Sequence, residues 1–236
     1  MYVEPDEIRM FLNIDSTALP DAVLSKYISM AEGYVDRLTD TCWNGKWKDT
    51  LKYLQDNGFV DDNGVLTVDP ASLADKQCFD YEVHDLTKYK GGVWWGAGIP
   101  VYLGHRFVRK LVSLKLFNGS EYEEWIGEKT EARNIGDYWV DYWNGVVYIN
   151  VFWYYQGGKE VTVAYLYGRD DLPWYIKELT MLYAIKYVLM FERRFAAILE
   201  TSDSPRITDM LGYIDERLEY LESMARSIKV PRTRVM

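Results

Sequence analysis

Residues 161–189 read VTVAYLYGRDDLPWYIKELTMLYAIKYVL, and a change of periodicity inside this stretch decides the fold class. Val161, Val163, Tyr165 and Tyr167 recur every second residue, the spacing that sends alternate side chains to opposite faces of a strand. After Gly168, Asp170-Asp171 supplies a helix cap, and Pro173 falls in the first turn, where its missing N–H costs nothing. Ile176, Leu179, Leu182, Tyr183, Tyr187, Val188, Met190 and Phe191 then place apolar residues on most sides of a helix over 174–199. Such a helix belongs at the centre of a bundle.

Upstream, the period of two persists. Val108, Val112, Leu114 and Leu116 lead to Asn118-Gly119, residues 138–143 lead to Asn144-Gly145, and residues 146–154 lead to Gly157-Gly158. Asn-Gly and Gly-Gly between β-branched and aromatic runs are strong hairpin signals. They predict an antiparallel β unit of four or five strands over 107–168.

The chain's two ends read as helix. Glu4-Pro5-Asp6-Glu7 opens a short one with Ile8, Phe11 and Leu12 on its apolar side, its carboxylates placed where the helix dipole favours them. Pro20-Asp21 opens a longer one over 20–39, carrying Val23, Leu24, Tyr27, Ile28, Ala31, Tyr34, Val35 and Leu38. A last amphipathic helix runs from Ile207 through Leu211, Ile214, Leu218 and Leu221 to Met224. Between residues 40 and 106 the pattern breaks up: a short helix over Trp47, Leu51 and Leu54 ends at Asn57-Gly58, a small hairpin turns at Asn63-Gly64, and GGVWWGAGIP (91–100) is a loop. The expected fold is α+β: a helical bundle from the two chain ends with an antiparallel β unit and an irregular insertion between them. Its segments are 1–39 (N-terminal helices), 40–106 (insertion), 107–168 (β unit), 169–225 (C-terminal helices) and 226–236 (extended basic tail).

At 236 residues the chain is one large domain or two small ones, long enough to bury roughly 70% of its unfolded surface without a metal or disulfide. Cys42 and Cys78 alone do not suggest a disulfide framework. The acidic start and the lack of a long apolar run predict neither a signal peptide nor a membrane span. The net charge of −9 argues against broad nucleic-acid affinity. Its distribution is uneven: residues 1–222 hold 36 acids and 23 bases, whereas residues 223–236 hold four bases and no acid. A −13 body therefore carries a +4 tail of Arg226, Lys229, Arg232 and Arg234, expected to be extended past Pro231.

Catalytic templates do not fit. The Gly-Lys pairs at Gly45 and Gly158 have Asp40 and Trp153 where a phosphate-binding loop needs its first glycine, and neither G-x-G-x-x-G nor G-x-S-x-G occurs. Asp61-Asp62-Asn63-Gly64 would put Phe59 and Pro70 at the first and last positions of a calcium loop, so it reads as a turn. His84 and His105 are the only histidines, and a structural role is expected for both. Glu123-Glu124 lies in or beside a strand. No catalytic residue, cofactor or metal is expected; an unrecognised hydrolase using His84 or His105 as base is a third reading.

Nine Trp, 20 Tyr and 8 Phe make up 16% of the chain. Trp94, Trp95, Trp139, Trp143 and Trp153 are candidate interface aromatics; they also permit a carbohydrate- or ligand-binding module in which they form a stacking platform. Strand alternation puts Tyr138, Val140 and Tyr142 on one face and Trp139, Asp141 and Trp143 on the other.

The stretch 161–189 resembles the hallmark of the head-tail connector, or adaptor, proteins of tailed phages and related viruses. In that family a last strand of the form V-x-Y-x-x-G is followed by a short loop, Pro and a long helix; Val163, Tyr165, Gly168 and Pro173 hold those places here. The opening is similar too: Asp21-Ala22-Val23-Leu24 and Ala31-Glu32-Gly33-Tyr34-Val35 resemble the family's D-x-x-L and A-E-x-Y-V segments. The resemblance covers about 39 residues at the front and about 90 at the back. It implies a non-enzymatic virion protein, made in the host cytoplasm and built into the neck. There it forms a homo-oligomeric ring, commonly a dodecamer, that joins the portal to a downstream tail or head-completion protein and continues the DNA channel with non-specific DNA contact. It further implies that the carboxy-terminal segment docks on the portal, which assigns Arg226, Lys229, Pro231, Arg232, Arg234, Val235 and Met236 to that contact.

Overall fold

A computed structural model describes residues 1–86, 98–133, 136–150, 160–192 and 207–227. The architecture is α+β, in two compact units: one from residues 1–44 together with the described residues of 171–233, and one from the described residues of 45–170.

The first unit holds α1 (Pro5–Leu12), α2 (Asp21–Thr39), α4 (Trp174–Phe191) and α5 (Ile207–Arg226). The backbone N–H of Glu4 donates to the Glu7 carboxylate at 3.0 Å, closing the start of α1, and Asn13 ends the helix in the left-handed region at φ 52°. Asp40 ends α2 in the same way at φ 56°. The central α4 is apolar on nearly all sides and packs against α1, α2 and α5. Its Ile176, Leu179, Ile185 and Val188 meet Leu24, Ile28, Ala31 and Val35 of α2 and Ile214, Leu218 and Leu221 of α5 in one core. Each such side chain contributes about 1.5–3 kcal/mol when fully buried. Buried Arg9 ties α1 down: its Nε donates to the Leu19 carbonyl at 3.0 Å, and its Nη atoms pair with Asp6 and Asp21. Trp43 is fully buried, with its Nε1 donating to Thr39 Oγ1 at 3.0 Å and its backbone N–H to the Tyr2 hydroxyl at 2.8 Å.

The second unit is layered. A four-stranded antiparallel sheet has the order β1 (Phe79–Asp85), β7 (Glu160–Tyr167), β3 (Val108–Phe117), β4 (Tyr122–Glu124). A three-stranded sheet has the order β2 (Ile99–Tyr102), β6 (Val146–Ile149), β5 (Tyr138–Asp141). Val161, Val163 and Tyr165 of β7 share one core with Val101, Val140, Val147 and Ile149 of the smaller sheet. Ala164 and Leu166, on the other side of β7, share a second core with Leu54 of α3 (Lys46–Asp56), Leu66 and Phe79. Buried on both faces, β7 takes an interior position.

Most of the predicted elements form. The hairpins at Asn118-Gly119 and Asn144-Gly145 join β3 to β4 and β5 to β6, and Val60 bridges Leu66 around Asn63-Gly64. Two readings change. Residues 40–106, expected to be irregular apart from the short helix now seen as α3 and a small hairpin, also supply β1 and β2, so both sheets draw a strand from them. Both cysteines are disulfide-bonded, which two-residue counting did not anticipate. The Gly157-Gly158 turn lies outside the described residues; β6 and β7 on either side of it belong to different sheets. Among the described residues no helix is long and apolar enough to cross a membrane.

Candidate functional site

Arg226 belongs to the last turn of α5, not to an extended tail, and its Nη2 donates to Glu222 Oε2 at 2.6 Å. A cation there also complements the carbonyl end of the helix. Glu222 accepts in addition from the hydroxyls of Tyr34, at 3.2 Å, and Tyr183, linking α2, α4 and α5. Burial first, and then the neighbouring Glu222, push the Tyr183 hydroxyl well above its ordinary value. Lys229, Pro231, Arg232, Arg234, Val235 and Met236 lie outside the described residues, as do Trp94, Trp95 and Trp153.

The two described candidate tryptophans are on the second unit. Alternation places Trp139 and Asp141 on the outer side of β5 and Tyr138 and Val140 in the core, as the sequence predicts. Trp139 is stacked on Tyr148, its cross-strand partner, at 4.1 Å and 2°. The Arg133 guanidinium lies 5.0 Å from the Trp139 ring. Trp143 sits in the turn after β5, 60% exposed, edge-on to Phe107 at 4.9 Å and under the Arg169 guanidinium at 5.8 Å. Trp139 is thus engaged by Tyr148 and Arg133, and Trp143 packs with Phe107.

The densest polar chemistry lies where β1 pairs with β7. Asp80, Glu82 and His84 share one side of β1, and the register sets Asp80 opposite Tyr165. The Tyr165 hydroxyl donates to Glu82 Oε1 at 2.5 Å and Asp80 Oδ2 at 3.3 Å. His84 Nε2 lies 3.0 Å from Glu82 Oε2, and His105 Nε2 lies 3.3 Å from Asp80 Oδ2. The backbone N–H groups of Gly104 and His105 donate to Glu82 and to the Tyr165 hydroxyl, and the His105 imidazole stacks on Tyr167 at 3.7 Å. Burial opposes ionisation of Asp80, but the His105 imidazole, the Tyr81 N–H and the Tyr165 hydroxyl outweigh it and hold the carboxyl below its usual value. Burial, reinforced by Glu82, pushes the Tyr165 hydroxyl far up. Both histidine side chains are only 14% exposed. The cluster acts as a polar cross-link between an edge strand, its neighbour and the 104–105 turn.

Sequence reading singled out both histidines but not their partners. The signal available was the alternation Asp80-x-Glu82-x-His84, a polar stripe that would face solvent on an ordinary outer strand. The adjacent carboxylates have structural uses. Glu124 accepts from Ser113 Oγ at 2.7 Å and Leu114 N at 2.8 Å, and Glu123 pairs with Lys129 at 2.9 Å. Asp170 does not cap α4, whose first turn follows Pro173; it pairs with Lys48 at 2.8 Å and accepts from Trp47 Nε1 at 3.2 Å. Among the described residues no group of three or more His, Cys, Asp and Glu is arranged to hold a metal ion. In comparisons with known proteins, no family model and no curated protein matches the chain.

Proposed function

We propose that this chain is a structural virion protein of the neck, an oligomeric ring adaptor that joins the portal to the tail and continues the DNA channel. The observation that carries the reading is the junction of β7 and α4. Val163 and Tyr165 on the last strand, Gly168 at φ 140°, a short loop, and Pro173 directly before an 18-residue helix reproduce the order in which the resemblance to head-tail connectors lies. Helices from both ends of the chain also share one core, which suits a protomer that contacts neighbours through that unit.

Charge supports the same reading. A −13 body suits a channel that must let DNA slide without holding it, and a basic carboxy-terminal segment suits an acidic portal surface. The partners are further copies of the chain, the portal protein and a downstream tail or head-completion protein. The carbohydrate-module reading is weakened by Trp139, whose ring is already stacked on Tyr148 with Arg133 beside it. Electron micrographs of the purified chain, alone and mixed with its portal protein, test the proposal. Rings alone or on the portal are expected, with salt-sensitive docking lost on deleting residues 228–236. A chain that stays monomeric in both preparations sinks it.

A further inference from the structure

Two helix faces of the first unit point away from its core, and they are opposite in charge. On α2, Leu24, Ile28, Ala31 and Val35 are buried. At 100° per residue the opposite side carries Lys26, Met30, Gly33 and Arg37. On α5, Ile214, Leu218, Leu221 and Ala225 are buried, and the opposite side carries Asp209, Gly212, Glu216, Glu219 and Tyr220. Lys26, Met30 and Arg37 are exposed, as are all five of the α5 residues. Lys26 lies 5.5 Å from the ring of its neighbour Tyr27. Among the described residues, Lys26, Arg37, Asp209, Glu216 and Glu219 form no ion pair, whereas Lys177, Lys186 and Arg217 of the same unit each hold a carboxylate.

The glycines point the same way. Glycine lowers helix stability relative to alanine, so a mid-helix glycine calls for a close neighbour. A Cβ built on Gly33 or on Gly212 meets nothing within 4 Å. The described residues of the unit therefore give neither glycine a reason. Each leaves a side-chain gap within its outer face, where a second helix can approach closely.

We propose that the basic α2 face of one copy packs against the acidic α5 face of the next. This rests on the ring reading above and gives the ring its subunit contact. Both faces of one molecule turn away from the same core, so a copy does not satisfy its own. Each addition leaves one basic and one acidic face open, a heterologous contact that repeats head to tail and closes where the rotation permits. Exposed charge pairs add little affinity, but they set partner and direction; Met30, Tyr220 and the two glycine gaps supply the close contact.

Charge reversal tests the pairing with the full chain. Lys26→Glu/Arg37→Glu makes both faces acidic, and Glu216→Lys/Glu219→Lys makes both basic. In sedimentation velocity at low salt, the wild type is expected as an oligomer and each variant alone as a monomer with the wild-type helical circular dichroism. An equimolar mixture is expected to regain the oligomer, the two variants alternating. Gly33→Gln should block assembly by bulk without any charge change, so a folding defect in one charge variant still leaves the pairing open to refutation. Variants that assemble alone like the wild type, or a mixture that stays monomeric, overturn the α2–α5 pairing and leave the ring reading intact. A wild type that is monomeric at every concentration, and also with the portal protein added, overturns both.

Discussion

The Tyr165 hydroxyl donates to the Glu82 carboxylate at 2.5 Å, although Val163, not Tyr165, is the cross-strand partner of Glu82. The diagonal bond draws β1, an edge strand of its sheet, onto the interior strand β7. Asp80 and the turn at Gly104 and His105 converge on the same two side chains. Replacing Tyr165 by Phe keeps the ring in the core but leaves two half-buried carboxylates without their shared donor. A loss of about 1–3 kcal/mol is expected. Urea unfolding measures it; an unchanged midpoint with an unchanged slope would contradict this role of the hydroxyl.

Acid should act partly through Asp80. Its folded-state carboxyl lies below its ordinary value, so it stabilises the fold above that ordinary value, and the contribution disappears as pH falls through the lower folded value. The thermal midpoint of the wild type should therefore drop below about pH 4, and Asp80→Asn should flatten that part of the curve. Identical acid limbs in the two proteins would show that Asp80 plays no part.

Alkali should act through buried tyrosines. Burial is the largest cause that raises Tyr2, Tyr165 and Tyr183 above 10.0, and it pushes Tyr138 up to about 12. Groups with raised values stabilise the fold fully below the unfolded-state value, about 10, and lose that contribution as pH rises beyond it. Tyrosinate absorbance should show a class of tyrosines that ionises only together with unfolding. A single smooth titration completed while the far-ultraviolet circular dichroism is still native would refute it.

Trp139→Ala should lower the stability of the second unit by about 0.5–1.5 kcal/mol beyond the loss of its buried area, because it breaks the stack with Tyr148. Chemical denaturation of the single and Tyr148→Ala variants in a double-mutant cycle gives the coupling. Zero coupling would mean that the parallel rings contribute nothing.

Gly33→Ala should stabilise the isolated protomer by about 0.5–1 kcal/mol, since the added methyl meets nothing within 4 Å and alanine favours the helix. The thermal midpoint is the measurement, taken on protein kept monomeric by salt. A lower midpoint would mean that a neighbour within the chain already occupies that space.

How much was legible in the sequence varied with the kind of feature. Pro5, Pro20 and Asn57-Gly58 mark ends of α1, α2 and α3 to within about one residue, because caps and breakers act on backbone they adjoin. The β5–β6 hairpin was equally legible from Asn144-Gly145. The polar cluster was not: Asp80, Glu82 and His84 alternate along β1, but Tyr165 and His105 join them only through the β1–β7 register and the turn at 104–105. Arg226 read as the start of a basic tail until Glu222, one turn earlier on α5, paired with it.

By itself the sequence determined the helix and strand identities, the hairpin turns and the α+β class, since periods of 3.6 and two and the φ preferences of Gly and Pro are local properties of the chain. Only the tertiary structure decided that β7 sits between β1 and β3, that residues 40–106 contribute strands, and that α2 and α5 leave opposite charges facing outward. Those outcomes depend on which apolar faces cover one another across long sequence separations. Val161 to Leu166 can bury both sides of a strand only between two layers, and α4 can bury most of its sides only with a helix from each end of the chain packed around it.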